Sequence, residues 1–424
     1  MRIDRGLFTL AAAIALVGAL GPMAEAQPAC PVKLGGILSL TGSLGAIGKP
    51  IADSARLAVE HVNAAGGVKG CPIEFILRDD QGQSTVGVDA AKNLVDVQGV
   101  PAIIGAISSG VSLPVLTSVA VPAKVTMVSC CSTAPTFTTL AQEGKTGGYF
   151  FRTLPTTKTQ AYGAAKIAAE RGYKKVAIIY VNTDFGVNLA KDFTRALQKL
   201  GGAVVLSIPY QENQPSYRAE VTRALAATPD SIYLVAFPQD GATLAREWIS
   251  FGGTQNIILN NALRADQFLK AVGARFLQNA YGMDNAQVAG PSVDAFNQAY
   301  QAKFGSPPNG PGLHTVYDAV AVTALAMQAA KTLTGTEIRD NIRRVTGPTG
   351  TPVSTGVEGL RRGLELLRGG QAIRYTGATG PIQFDAYGDV SGPILVYRFK
   401  DEQIVTERVM TLDEVQALFK QIDG

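Results

Sequence analysis

Two short runs of hydroxyl-bearing residues are the part of this sequence that could hold a ligand. Ser108-Ser109-Gly110 and Cys130-Cys131-Ser132-Thr133-Ala134-Pro135 each follow a short apolar run. Hydroxyls combined with the free backbone N–H groups at a helix start make a site for an anion, and suit a carboxylate. Ser and Thr are also the preferred helix caps when no ligand is present. Finding both runs on neighbouring strand ends shifts the balance toward binding. A third run, Thr41-Gly42-Ser43-Leu44-Gly45-Ala46-Ile47-Gly48-Lys49-Pro50, has the glycine content of a phosphate loop. Gly42 and Gly48 are one residue too far apart for that motif, Pro50 stands where Ser or Thr should follow the lysine, and no GxGxxG occurs. Nucleotide binding is set aside, and the loop is expected to allow close approach of backbone to a small ligand.

Catalytic chemistry finds little support. The chain has only two histidines, His61 and His314, neither in a nucleophile or metal motif, and it has no GxSxG elbow and no Cys-x-x-Cys. No metal, cofactor or enzymatic activity is expected. The net charge of +4 is spread over isolated pairs such as Lys174-Lys175, Arg343-Arg344 and Arg361-Arg362, which is no nucleic-acid footprint.

The amino terminus carries an address. Arg2 and Arg5 precede an almost uncharged apolar run, Leu7 to Leu20, and Ala24-Glu25-Ala26 places small residues where a signal peptidase needs them. Residues 1–26 are read as a cleaved secretory signal peptide, with an uncleaved anchor as the alternative. Gln27-Pro28-Ala29 before Cys30 is a poor lipobox. An exported chain with four cysteines invites disulfides. Cys30-Pro31 and Cys71-Pro72 sit in matching positions ahead of two apolar runs, so on neighbouring parallel strands they fall within bridging distance. A Cys30–Cys71 bridge is predicted; adjacent Cys130 and Cys131 are read as thiols, with a vicinal disulfide as the alternative.

The elements that position these loops alternate. Apolar runs at 33–38, 73–77, 102–104 and 125–128 read as buried strands, separated by helical spacing at 51–64, 86–98 and 112–120. A second series places strands at 176–180, 204–208, 231–235 and 256–259, with helices at 159–171, 186–200, 216–226 and 241–251. Such alternation implies an α/β fold of two doubly wound parallel-sheet lobes, with a seam near Phe151-Arg152-Thr153. Roughly 400 residues after the signal peptide also suit two lobes. Past Tyr281 come helices at 292–304, 315–332, 337–345 and 357–368. Hairpin-like strands follow near 382–384 and 394–399, joined by Asp385-Ala386-Tyr387-Gly388-Asp389.

Leu40-Thr41-Gly42, the run from Ala58 to Gly70, Asp79-Asp80, Gly105 with Ser109-Gly110, Ser132 to Pro135, and Phe150 to Thr153 occur in that order. Asp184-Phe185-Gly186, Tyr317-Asp318-Ala319 and Gly377 through Asp389 complete the set. Over nearly the whole exported chain this resembles the solute-binding proteins of the branched-chain amino-acid type, the periplasmic receptors of ABC importers (periplasmic binding protein type I). The resemblance implies two lobes joined by three crossovers that close on a ligand: residues 27–152 plus 286–346 in lobe one, 153–285 plus 347–424 in lobe two. It also implies a monomeric periplasmic receptor with a membrane permease as partner and no nucleic acid.

By the same resemblance the ligand carboxylate is held by Ser109 and Thr133 with backbone contacts from Cys131. Ile47 falls where the family has a tryptophan wall, Phe185 where it has tyrosine, and Phe237 near another tyrosine position; both phenylalanines also suit an ordinary core. The family's acid for the ligand ammonium is missing from the loop after Leu259, which reads Asn260-Asn261-Ala262-Leu263-Arg264-Ala265-Asp266. A buried ammonium without a carboxylate is costly, so Asp240, Asp266 or Asp284 substitutes, or the ligand is an amine-free organic or aromatic acid. Leu263 and Arg264 are that loop's ligand candidates; with an amine-free ligand Arg264 meets a second acidic group, and the alternative is that it sits on the surface. The function implied is capture of a small carboxylate-bearing solute, most simply an aliphatic amino acid, for transport; a sensory module of the same fold is the alternative.

Overall fold

Short β-branched runs with few polar positions are stable as strands only when helices cover both faces of the sheet. A computed structural model of the protein describes Met1 and residues 30–424. The expected signal peptide, residues 1–26, lies outside these apart from Met1. The first sheet contains β1 (Val32–Leu38), β2 (Ile73–Asp79), β3 (Ala102–Gly105), β4 (Thr126–Ser129) and β5 (Phe150–Arg152), all parallel, in the order β2-β1-β3-β4-β5. The second is built on β6 (Lys175–Val181), β7 (Ala203–Tyr210), β8 (Ser231–Val235), β9 (Ile257–Leu259) and β10 (Tyr281–Asn285), again parallel, in the order β7-β6-β8-β9-β10. Both lobes therefore repeat one doubly wound pattern. Each has its switch point beside its first strand, where the winding reverses.

The helices between Pro291 and Arg368 return to the first lobe, while the last, Leu412–Asp423, packs on the second-lobe helices Thr157–Glu170 and Asp184–Lys199. Leu313–Ala329 is buried at nearly every position and packs on the helix Gly45–Ala64 and on β3 and β4, the setting a helix apolar on all sides requires. No described helix is long and apolar enough to cross a membrane.

Two expectations need correction. The sequence reading assigns 347–424 to lobe two as a block, but the structure divides this segment. A small sheet of β11 (Thr351–Val353), β12 (Ile373–Gly377) and β13 (Gly380–Pro381), with the helix Gly356–Arg368, packs on Gly45–Ala64 and Leu313–Ala329. A buried acid ties it there: Asp318 accepts hydrogen bonds from Ala378 N–H (2.6 Å), Thr379 N–H (2.8 Å), Thr379 Oγ1 (2.7 Å) and Tyr375 Oη (3.0 Å). Gly377 is required there, since a Cβ would stand 2.3 Å from that carboxylate. The expected hairpin is also displaced. Residues 382–384 form no strand; β14 (Ile394–Lys400) pairs antiparallel with β10 and with β15 (Gln403–Met410) through a turn at Asp401-Glu402, both with positive φ.

The run 385–389 belongs instead to the hinge. The chain crosses between lobes after β5, after β10 and along 382–393, and these crossings lie side by side: Arg152 N–H donates to Gly388 O (3.0 Å) and Ala286 N–H to Pro393 O (3.0 Å). Arg152 is fully buried. Its Nε donates to Asp389 Oδ1 at 2.6 Å, Nη1 to Ser132 O (3.2 Å) and Ala134 O (2.8 Å), and Nη2 to Thr138 Oγ1 (2.7 Å).

Cys30 and Cys71 are disulfide-bonded as predicted, with Cα atoms 5.3 Å apart. The register Val32↔Ile73 sets both at the same end of β1 and β2. Cys130 and Cys131, read as thiols, are joined as a vicinal disulfide.

Asp389→Asn should strip the charge that compensates buried Arg152 and lower stability by about 3–5 kcal/mol. Urea denaturation checks this; a loss below 1 kcal/mol would mean that the guanidinium is satisfied by its carbonyl and hydroxyl partners alone.

Candidate functional site

The two switch points face each other across a cleft. From the first lobe come the residues following β1 (Leu44, Ile47, Ile51), β3 (Ile107, Ser108, Ser109) and β4 (Cys130, Cys131). From the second come Phe185 after β6, Phe237 after β8, Asn261 and Ala262 after β9, and Asp284 with Asn285 at the end of β10. Leu154, Pro311 and Gly312 complete the wall. The lobes touch at the rim, where Ser43 Oγ donates to Glu212 Oε2 at 2.5 Å and Asn188 Nδ2 to Thr136 Oγ1 at 3.4 Å.

Local structure differs from expectation around the first loop. Residues 45–50 are not loop but the opening of the helix Gly45–Ala64, and Gly42–Leu44 is a short 3-10 turn. The close approach that Gly48 permits is to the strand, since a Cβ there would lie 1.7 Å from Ser39 O. This start is tied down by the acids ending β2. Asp79 accepts from Leu40 N–H (2.9 Å) and Thr41 Oγ1 (2.6 Å); Asp80 accepts from Ser39 Oγ (2.5 Å) and Gly82 N–H (2.8 Å).

The donor side of the cleft is held by its own hydroxyls. Ser129 Oγ donates to Ala106 O (2.9 Å) and accepts from Cys131 N–H (3.2 Å) and Ser132 N–H (3.0 Å). Ser109 Oγ accepts from Ala134 N–H at 3.2 Å, which leaves its own proton to be donated elsewhere. Thr133 Oγ1 is buried with no partner among the described residues, although Thr133 does not reach the cleft wall.

The opposite side is rich in acceptors. Asp284 is buried, and burial pushes its carboxyl up while the Arg264 guanidinium pulls it back. Arg264 Nη1 donates to Asp284 Oδ2 at 2.8 Å and Asn285 N–H to Asp284 Oδ1 at 2.7 Å. A carboxylate accepts about four hydrogen bonds, so Asp284 retains capacity. Asn261 Oδ1 and Asn285 Oδ1 are buried without a partner among the described residues.

Of the sequence candidates, Ile47, Ser109, Cys131, Phe185 and Phe237 line the cleft, the two phenylalanine rings stacked at 6.0 Å. Leu263 and Arg264 do not. Leu263 is fully buried beneath Gly241, whose Cβ would meet it at 2.5 Å, and Arg264 stands behind the wall on Asp284. Among the proposed substitute acids Asp284 alone reaches the cleft: Asp266 lines an adjoining chamber, and Asp240 accepts from Asn213 N–H at 3.2 Å. Asp284 enters the sequence reading only as a substitute acid and Asn261 only within the loop after Leu259; Asn285 escapes it because β10 does, whose pattern breaks at Gly282 and gives no alternation to see. Both histidines are structural. His61 Nδ1 meets Tyr317 Oη at 2.7 Å, and His314, pushed down to about 3 by burial and Arg264, meets Asn297 Oδ1 at 2.8 Å. Among the described residues no group of three acids, histidines or cysteines could hold a metal.

Asp80 supplies a pH test of this wall. Burial pushes its carboxyl from 3.8 up to about 6, against the Ser39 and Gly82 hydrogen bonds. Between those values the native state holds a proton that the unfolded chain has released. Stability from this group is therefore complete below about 4 and is lost as pH rises through 6, by about 3 kcal/mol. Asp80→Asn should flatten that part of the curve in chemical denaturation at pH 4–7; an unchanged slope would refute the assignment.

The periplasmic binding protein family model matches residues 31–402. The chemotactic signal transduction system substrate-binding protein BasB of Halobacterium salinarum is 28% identical over 90% of each chain. The Leu/Ile/Val-binding protein BraC3 of Rhizobium johnstonii is 29% identical over 68% of this chain and 77% of its own length. The leucine-binding protein LivK of Thermotoga maritima superposes with a TM-score of 0.77 at 24% identity, covering 90% of this chain and 99% of that one. With two repeated doubly wound lobes, a hinge of side-by-side crossings and a cleft between switch points, the chain belongs to the periplasmic binding protein family and has the type I fold of its branched-chain amino-acid binders.

Proposed function

We propose that this protein is an exported receptor that captures a small α-amino acid with an apolar side chain in the interlobe cleft. The observation that carries this reading is the division of polar atoms between the walls. Donors (the Ser109 hydroxyl and, behind it, the Thr133 hydroxyl) belong to the first lobe. Acceptors without protein donors, Asn261 Oδ1 and Asn285 Oδ1, together with Asp284, belong to the second. A zwitterion matches both: its carboxylate meets the donors and its ammonium the acceptors. Leu44, Ile47, Ile107, Phe185 and Phe237 then surround an aliphatic or small aromatic side chain.

Binding works by population shift. The ligand reaches both walls only when the lobes are closed, so it stabilises closure by the difference in contacts. The closed outer face is presented in the periplasm to the permease of an ABC importer. The similarity to BasB along 90% of both chains favours a second reading, in which closure is reported to a chemotaxis partner. Loss of solute uptake in a deletion strain with intact taxis supports the importer; the reverse supports the sensor.

Ser109→Ala removes a hydroxyl donated to a carboxylate, a loss of about 1.5–3 kcal/mol, or roughly tenfold to a hundredfold in Kd. Titration calorimetry with L-leucine should show that loss, and the natural protein should bind L-leucine far more tightly than 4-methylpentanoate, which lacks the amine. Equal or tighter binding of 4-methylpentanoate would instead establish an amine-free acid as the ligand class, with Asp284 reserved for Arg264.

A further inference from the structure

The Arg264–Asp284 ion pair stands in the partition between two cavities. Asp284 belongs to the cleft wall, and Arg264, 2.8 Å away, to the wall of an adjoining chamber. Ile47 and Pro311 line both. The chamber, of about 230 Å³, is larger than the cleft at about 40 Å³, and exposed Gln267 and Asn309 form part of its outer wall. A guanidinium carries five N–H donors. Arg264 uses Nη1 on Asp284, while its Nε is buried with no acceptor among the described residues. Exposed Asp266 also lines the chamber. One guanidinium thus stands against two carboxylates, Asp284 and Asp266, and the chamber has no surplus positive charge with which to attract a second anion. A neutral hydrogen-bond acceptor fits it better.

We propose that this chamber is a distal subsite of the cleft, where Arg264 receives the amide or peptide carbonyl of a solute longer than an aliphatic amino acid. The inference rests on the cleft reading above for the amino-acid end of the solute and extends it to a side chain whose aliphatic part meets the apolar cleft wall and whose end carries the amide. Ile47, at the boundary of the two cavities, is the side chain that such a solute passes. In this proposal Arg264 is the donor to a neutral group in place of the partner of a second acid.

Gly310 offers a way to close the chamber without touching the cleft. It lines the chamber only, and a Cβ there would meet Leu313 alone, at 3.5 and 3.8 Å, ordinary contact distances. Gly310→Leu should fold normally and fill the space. Calorimetric titration of the purified protein would compare L-norleucine with the ω-amides L-glutamine, L-citrulline and Nε-acetyl-L-lysine. At least one ω-amide should bind tenfold or more tightly than L-norleucine, and Gly310→Leu should abolish that advantage while leaving L-norleucine within twofold. The proposal is overturned if no ω-amide exceeds L-norleucine, or if Gly310→Leu weakens all of them alike. Should no amino acid bind, hexanoate against adipic acid monoamide reads the chamber separately. A preference for the monoamide that Gly310→Leu removes supports the subsite while the amine reading falls; absence of that preference overturns both.

Discussion

A guanidinium taken wholly out of water must find its partners in protein, and Arg152 finds them in segments far apart in sequence. Asp389 comes from the last crossing between lobes, Ser132 and Ala134 from the loop after β4, and Thr138 from the helix beyond. Asp389 is itself held, accepting from Thr138 Oγ1 at 2.5 Å while its N–H donates to Asp385 Oδ1 at 2.9 Å. The carbonyls that Arg152 occupies flank Thr133. Once they are fixed, the loop that carries Cys130 and Cys131 into the cleft is held by the hinge itself, and this part of the wall cannot shift without disturbing a buried charge. Such a pair adds little net stability against its desolvation cost, but breaking it leaves an uncompensated ion. Its effect is therefore on geometry: it ties the position of the donor wall to the path of the chain between lobes.

The acceptor wall is organised differently. Asp284 and Arg264 neutralise each other within the second lobe, and burial would otherwise favour a protonated, neutral Asp284. The resulting wall carries no net charge but strong local dipoles, reinforced by two asparagine carbonyl oxygens without protein donors. Unpaired buried acceptors are costly in a folded protein. A closed cleft that leaves them unpaired is poised for a ligand that supplies N–H groups. The rim contact from Ser43 to Glu212 joins the lobes on the side away from these groups' own loops. In the proposed closure the ligand's contacts add to this protein–protein contact, and the ligand need supply only the difference.

The alternation of apolar runs revealed most of the scaffold in the sequence. Strand β1 to β4 and β6 to β9, the two switch points and the Cys30–Cys71 bridge all follow from local pattern plus right-handed winding. The loops of Ser109 and Cys131 can be found because they follow those strands, whereas Phe185 and Phe237 come from the family resemblance. What was not legible depends on contacts remote in sequence. β10 carries Asp284 and Asn285, yet Gly282 and Asp284 interrupt its apolar pattern, because it lies between β9 and β14 and ends in the cleft. The 385–389 run has turn chemistry and does turn, but its role is set by Arg152, more than two hundred residues earlier. Residues 351–381 pack on lobe one through the apolar face of Gly356–Arg368 and through the buried carboxylate of Asp318, a contact that no periodicity reveals.

The residues that carry the family likeness are, for the most part, joints. Asp79 and Asp80 hold the start of the first helix, Asp318 holds 377–379, and Arg152 with Asp389 holds the hinge. Each is an ionisable group surrounded by donors or by its counter-ion, and each fixes backbone that a packed apolar core alone would leave free to slide. Of the cleft wall only Ser109 and Phe185 fall inside those motifs. Leu44, Ile47, Asn261, Asp284 and Asn285 stand outside them, and these determine what the cleft can hold. Likeness across the chain therefore identifies the two-lobed scaffold, while in the proposed function the solute is decided by a handful of positions with no motif of their own. That separation is physically reasonable: the joints must keep one geometry for closure to work, whereas side chains projecting into the cleft can change shape and polarity without altering any strand or crossing.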